Sequence, residues 1–148
     1  MTAEVGADGR LAIGGVDVLD LVGDIGTPAF VYDEAHLRAR CREAVDAWGD
    51  GVAYASKAFL CKAMAALAHE EGMCVDVSTG GELHVALSAG VPADRLVLHG
   101  NNKSTAELRR ATEAGVGRIV VDSFDELDRL ARMAPDPAPQ ILLRVTPG

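Results

Sequence analysis

Cysteine is scarce in this sequence: Cys41, Cys61 and Cys74 are the only three, an odd number with no Cys-x-x-Cys pair. That argues against a disulfide framework and a zinc site, and fits free thiols in a reducing compartment. The four histidines, His36, His69, His84 and His99, do not fall at metal-ligand spacing, so no metal is expected. No run of Lys or Arg stands out, and the formal net charge is −8. Nucleic acid and anionic membranes are therefore poor candidate partners. No apolar stretch reaches ten residues, too short to span a bilayer. The start, MTAEVGADGR, lacks the basic n-region and apolar core of a secretory signal. These absences together lead to the expectation of a cytoplasmic protein.

What is present suits one folded unit. Hydrophobic residues make up 49% of the 148 positions and charged residues 24%, enough to bury a core and too apolar for disorder. Short runs rich in Val, Leu and Ile recur at Val52–Ser56, Cys74–Ser78, Leu96–His99, Arg118–Asp122 and Gln140–Val145. Near-continuous apolarity over such lengths is how a strand reads when both its faces are buried in a parallel sheet. Between the runs lie helical patterns, with Ala63, Leu67 and Ala68 on one face of the first and Leu83, Val85, Ala86 and Leu87 in the second. Leu108, Ala111 and Ala114 face inward in the third, and Leu127, Leu130 and Ala131 in the fourth. Thr79-Gly-Gly-Glu82, Ser104-Thr-Ala-Glu107 and Ser123-Phe-Asp-Glu126 fit the capping box that starts a helix. Gly72, Gly90 and Gly115 are placed to end helices.

The chain thus reads βαβαβαβαβ, with one more helix at about Glu34–Ala47 before the first strand. One βα unit every twenty-odd residues is the short, even period of a (β/α) barrel. A doubly wound sheet is the structural rival, but it usually needs a Gly-rich first loop, and Ala55-Ser-Lys-Ala-Phe59 is not one. Residues 1–32 read differently. Leu11 to Leu19 suggest a hairpin or strand pair, Gly26 to Tyr32 a turn and an extended run. Pro135 to Pro139 read as a rigid loop before the last strand.

Barrel chemistry sits at the C-terminal ends of strands. Those ends present Lys57, Asp76 with Thr79, His99 with Asn101, Asp122 with Ser123, and Arg144. On position alone Lys57 reads either as a strand-edge lysine with a packed stem and hydrated head or as a partly desolvated nucleophile able to form an imine with an aldehyde cofactor. Its neighbours add a second kind of information. Val52-Ala-Tyr-Ala-Ser-Lys-Ala-Phe59 resembles the cofactor-lysine segment of the pyridoxal-phosphate enzymes of the alanine racemase and ornithine/diaminopimelate decarboxylase fold. The likeness continues, in order, through Asp76-Val-Ser-Thr-Gly-Gly-Glu-Leu83, His99-Gly-Asn-Asn-Lys-Ser104, Asp122-Ser-Phe-Asp-Glu-Leu127 and Leu142-Leu-Arg-Val-Thr-Pro147. Upstream, Gly26-Thr-Pro-Ala-Phe-Val-Tyr-Asp33 is similar to the family's entry segment. Gly-Gly-Glu-Leu and His-Gly-Asn-x-Lys-Ser are most similar to the diaminopimelate decarboxylases of that family.

The resemblance implies an α/β fold: about five of eight strands of a pyridoxal-phosphate-binding (β/α)8 barrel over residues 33–148, truncated after the fifth strand. Residues 1–32 would be a β segment that in the family joins a C-terminal β domain. It implies pyridoxal 5'-phosphate as cofactor, carried on Lys57, the catalytic residue. Asp76 and Glu82 would set the charge and orientation of the cofactor lysine, Arg144 would reach the cofactor side of the barrel, and His99 would be a hydrogen-bonded wall residue there. Each has a plainer role too: Asp76 as an inward carboxylate that must find a partner, Glu82 as the second half of a capping box, Arg144 in a salt bridge to a barrel-interior carboxylate such as Asp76 or Glu82. The implied activity is decarboxylation of meso-2,6-diaminopimelate to L-lysine and CO2, by a homodimer acting on a small diamino acid. Alternatives within the fold are ornithine-, arginine- or carboxynorspermidine-type decarboxylases. A non-catalytic pyridoxal-phosphate-binding regulator is the rival from another class. The 148 residues alone are expected to be inactive.

Overall fold

The protein was analysed as a computed structural model, which describes residues 2–133 and 136–147. Three short antiparallel strands come first: β1 (Ala3–Val5), β2 (Leu11–Ile13) and β3 (Val16–Asp17). Helix α1 (Val18–Ile25) follows at once and packs on β2 and β3. The sequence pattern gave only strands here. The reason for the difference is Asp17, whose carboxylate accepts from the backbone N–H of Leu19 (2.8 Å) and Asp20 (3.2 Å) and so starts a helix two residues before the apolar run ends. Arg10 bridges Asp17 and Asp20 and ties that first turn to the hairpin. Gly26 to Tyr32 carry no regular structure, as expected.

Helix α2 (Glu34–Trp48) leads into a five-stranded parallel sheet, β4 (Ala53–Ala55), β5 (Cys74–Val77), β6 (Leu96–Leu98), β7 (Arg118–Val121) and β8 (Gln140–Leu143). The strands lie in sequence order. Consecutive parallel strands joined by α3 (Lys62–Glu70), α4 (Gly80–Ser88), α5 (Thr105–Ala114) and α6 (Phe124–Met133) are the arrangement of a (β/α) barrel, not of a doubly wound sheet, whose order reverses. Each strand lies inside the run that sequence assigned to it. Of the loop before β8, Ala134 and Pro135 lie outside the described residues, as do Met1 and Gly148.

The core lies between the sheet and its helices. Val75, Val77, Leu96, Leu98 and Ile119 are fully buried against Leu83, Leu108, Ala86 and Ala111. Each such Leu or Ile contributes roughly 1.5–3 kcal/mol by leaving water. Two helical faces differ from the sequence reading. In α3 the buried residues are Met64, Ala65, Leu67 and Ala68 while Ala63 is exposed. In α6 they are Glu126 and Leu130 while Leu127 and Ala131 face solvent. The helix turns its glutamate inward because a buried cation waits there, Lys103.

The helix ends repeat one device. Met73, Val91 and Val116 donate to the carbonyls of Ala68 (3.0 Å), Ala86 (3.2 Å) and Ala111 (3.0 Å), the six-to-one bond of a Schellman motif, and each is then buried. The starts repeat another. Thr79 with Glu82 and Ser104 with Glu107 form complete capping boxes. In α6, Ser123 accepts from the Glu126 N–H (3.2 Å), but the Glu126 carboxylate passes over residue 123 and accepts from the Asp122 N–H (2.9 Å). Gly117, between α5 and β7, admits no side chain, since a Cβ there would stand 2.1 Å from the Asp94 carbonyl oxygen.

Candidate active site

Alternation along the parallel strands sorts their side chains. Val75, Val77, Leu96, Leu98, Ile119 and Val121 meet the helices. In register with one another on the opposite face are Ala55, Asp76 and Val97, and Val97 pairs with Arg118. Continuing that parity, His99, Asp122 and Arg144 stand with Asp76 at the C-terminal rim of one face. Asp76 Oδ2 lies 3.5 Å from His99 Nδ1, and Asp76 Oδ1 is buried without a hydrogen-bond partner. Arg144 Nη1 lies 3.1 Å from Asp122 Oδ1. The salt bridge expected for Arg144, to an interior carboxylate such as Asp76 or Glu82, therefore exists, and its partner is Asp122, which follows the neighbouring strand. Register decides this: β8 pairs only with β7, three strands from β4 and two from β5.

Lys57 occupies the short 3-10 turn Ser56–Ala58 that ends β4. It is solvent-exposed and has no hydrogen-bond or ion-pair partner among the described residues. Its apolar sequence neighbours do not cover it within this chain. The turn lifts Lys57 off the end of an edge strand, and local sequence apolarity says nothing of what covers a side chain in space. Lys57 follows β4 and Arg144 follows β8, the first and last strands of this five-stranded sheet. Asp76 is the predicted residue on the strand next to that of Lys57.

Glu82 is engaged locally. Its Oε2 accepts from the backbone N–H groups of Ser78 (2.6 Å) and Thr79 (3.1 Å), holding the entry to α4. Gly80 donates to Glu107 Oε1 (2.9 Å), so Glu107 caps its own helix and the preceding one. Those backbone donors, with the Ser104 hydroxyl, hold the Glu107 carboxyl below its ordinary pKa.

Sequence reasoning gave Lys103 no structural role. It is 2% exposed, and its ammonium uses all three protons: on Glu126 Oε1 (3.0 Å), the Gly100 carbonyl (2.6 Å) and the Val120 carbonyl (2.7 Å). Arg129 donates to the Lys103 carbonyl (2.8 Å). This knot joins the loop after β6, which carries His99, to the end of β7, which precedes Asp122. Gly100 belongs to the same knot: at φ +111, a Cβ on it would press on the Ser78 carbonyl oxygen at 3.2 Å. Lysine so seldom sits fully buried that its position in the motif gave no sign of it.

Residues 34–148 match the family model described as pyridoxal-dependent decarboxylase, pyridoxal binding domain. The chain belongs to this family. It is 50% identical over 144 residues to a diaminopimelate decarboxylase of Mycobacterium tuberculosis, covering 95% of this chain and 32% of that protein. It is also 50% identical over 154 residues to one of Halalkalibacterium halodurans, covering 99% of this chain and 35% of the relative. The chain thus spans about a third of the length of these curated relatives. The crystal structure of diaminopimelate decarboxylase from M. jannaschii superposes with a TM-score of 0.87 at 30% identity, over 99% of this chain and 36% of that one. A lysine/ornithine decarboxylase from Vibrio vulnificus, complexed with putrescine, gives 0.77 at 26% identity over 86% and 35%. The five-stranded sheet is therefore part of a decarboxylase (β/α) barrel.

The family binds pyridoxal phosphate, and the rim can be tested against that group. Of the three lysines, Lys103 has no free proton and Lys62 lies on the first turn of α3. Lys57 alone combines a strand-end position with an uncommitted amine. The neighbouring strand offers Asp76, with one carboxylate oxygen still to be satisfied. An uncommitted amine one strand from a carboxylate with an unpartnered buried oxygen suits an aldehyde-bearing cofactor, so these residues fit.

Proposed function

We propose that the protein is a pyridoxal-phosphate-dependent decarboxylase of a diamino acid, meso-2,6-diaminopimelate, yielding L-lysine and CO2, with Lys57 as the residue that carries the cofactor. The observation that carries the reading is the uncommitted Lys57 amine at the rim of a barrel sheet, one strand from Asp76. The identity to diaminopimelate decarboxylases supports the substrate. The cofactor, when bound, supplies a carbonyl for amines and a ring that accepts electrons. Everything else falls to side chains of the chain. Lys57 would hold the cofactor through its amine, and the same amine would be placed to hold a proton for return to the substrate carbon. Asp76, braced by His99, places a negative charge where that amine must be kept oriented. Arg144 and Asp122 form a pair at the far side of the rim, where Arg144 can meet an anionic group. Glu82 supports the site through the α4 entry. Residues 1–32 are read as a segment apart from the barrel part at 33–148, and the working form as a cytoplasmic homodimer.

The full-length gene product should, after borohydride reduction with the cofactor, carry its pyridoxyl group on Lys57, and Lys57→Ala should abolish turnover with little change in stability. It should release CO2 from diaminopimelate in preference to lysine or ornithine. A label on Lys62 or Lys103 would overturn the assignment of Lys57. Preference for ornithine would move the protein to the branch represented by the Vibrio structure.

A further inference from the structure

The four βα loops of the sheet are not fixed in the same way. Three of them close with a hydroxyl and a glutamate: Thr79 with Glu82, Ser104 with Glu107, Ser123 with Glu126. The loop after β4, which carries Lys57, has neither. Ala55 gives the Ser56–Ala58 turn no side-chain cap, and Cys61 gives α3 none. Instead the Tyr54 hydroxyl donates to the Phe59 carbonyl oxygen at 2.5 Å, a chord across the whole turn. Phe59, whose backbone is extended at φ −163, lays its ring on Tyr32 with centroids 4.7 Å apart and planes 10° from parallel. Tyr32 comes from the segment that leads into α2.

We propose that Tyr54 is a positioning residue for Lys57: its bond to the Phe59 carbonyl, with Phe59 seated on Tyr32, fixes the turn from which the lysine amine reaches. The inference rests on the reading of Lys57 given above. Tyr54 lies on the helix-facing side of β4, in register with Val75, and so acts through the backbone without touching the reacting atoms. Lys57 is exposed and long, and the position of its Cα is what the fold controls. A displacement of about 1 Å at a reacting group can lower a rate about a hundredfold. The choice of a phenol has a chemical reason. A capping glutamate in this loop, like those in the next three, would add a carboxylate to the segment that carries Lys57. A neutral hydroxyl on a carbonyl fixes the turn with no competing anion. A phenol is already protonated, and so a donor, at neutral pH, and burial pushes that of Tyr54 further up.

The test is Tyr54→Phe in the full-length gene product, which removes the hydroxyl and keeps the ring. Three quantities are read: amide hydrogen exchange of residues 56–60, the rate at which Lys57 reacts with pyridoxal 5'-phosphate (absorbance, then borohydride trapping and mapping), and kcat against KM. Ser104→Ala serves as a control for general loss of stability. The expected result is faster exchange confined to residues 56–60 and a five- to tenfold slower Lys57 reaction in Tyr54→Phe, with a fall in kcat larger than any rise in KM. Ser104→Ala should leave the Lys57 reaction at the wild-type rate. Lys57 reacting at the wild-type rate in Tyr54→Phe, or slowing equally in Ser104→Ala, overturns the positioning role and leaves the cofactor lysine intact. A wild-type label found elsewhere than Lys57 overturns the cofactor assignment and this proposal with it.

Discussion

Replacing Lys103 by methionine keeps most of the length and volume of the side chain and removes its charge. The wild-type Lys103 side chain is 1% exposed and that of its partner Glu126 2%, so both charges are withdrawn from water. Lys103→Met withdraws the cation 3.0 Å from Glu126 and the donors from the Gly100 and Val120 carbonyls. The Asp122 N–H remains on Glu126, one dipole facing a whole buried charge. Breaking a buried pair from one side costs about 3–5 kcal/mol, mostly the stranded charge. At about 2–4 °C per kcal/mol, the melting temperature should fall by roughly 6–20 °C. The double change Lys103→Met with Glu126→Gln removes the stranded charge while the amide oxygen still accepts from Asp122. It should recover about 2 kcal/mol relative to the sum of the single changes. Urea unfolding of the four proteins supplies the cycle. A Lys103→Met protein within about 1 kcal/mol of wild type, or a double variant no better than the sum, would refute the reasoning.

Asp76→Ala should weaken cofactor binding and lower turnover while leaving the fold in place, because its Oδ1 has no partner among the described residues; unchanged cofactor affinity in a spectroscopic titration would count against its role. Gly117→Ala should cost about 3 kcal/mol, read as a melting shift, since its Cβ would meet the Asp94 carbonyl at 2.1 Å. Ser104→Ala should cost about 1 kcal/mol without changing kcat. Asp33, bonded by the Thr2 hydroxyl and the His36 and Thr2 N–H groups, has its carboxyl lowered from 3.8 to about 2. A depressed carboxyl stabilises the fold above its unfolded pKa and stops doing so as pH falls through the folded value. The attachment of β1 to α2 should therefore weaken between about pH 4 and pH 2, and Asp33→Asn should remove that dependence in amide exchange of the β1 segment.

Much of this was legible in one dimension. The five strands announced themselves because each is buried on both faces, and the helices because a hydroxyl, a glutamate and a closing glycine mark their limits. Those signals are local, and a chain carries local chemistry in its order. The same order placed Lys57, Asp76, His99, Asp122 and Arg144 at strand ends, and period-two alternation put the last four on one face. What sequence could not hold was pairing in space. It left Arg144 facing an interior carboxylate such as Asp76 or Glu82, and register chose Asp122, because β8 pairs with β7. It read Glu126 as a cap and Lys103 as an ordinary loop lysine; packing buried them together and turned α6 so that Leu127 lies outside. It gave Lys57 an apolar setting along the chain, and the turn after β4 leaves its side chain uncovered by those neighbours. A residue's neighbours along the chain decide its backbone, but whether its charge is paired, buried or free is decided by elements tens of residues away.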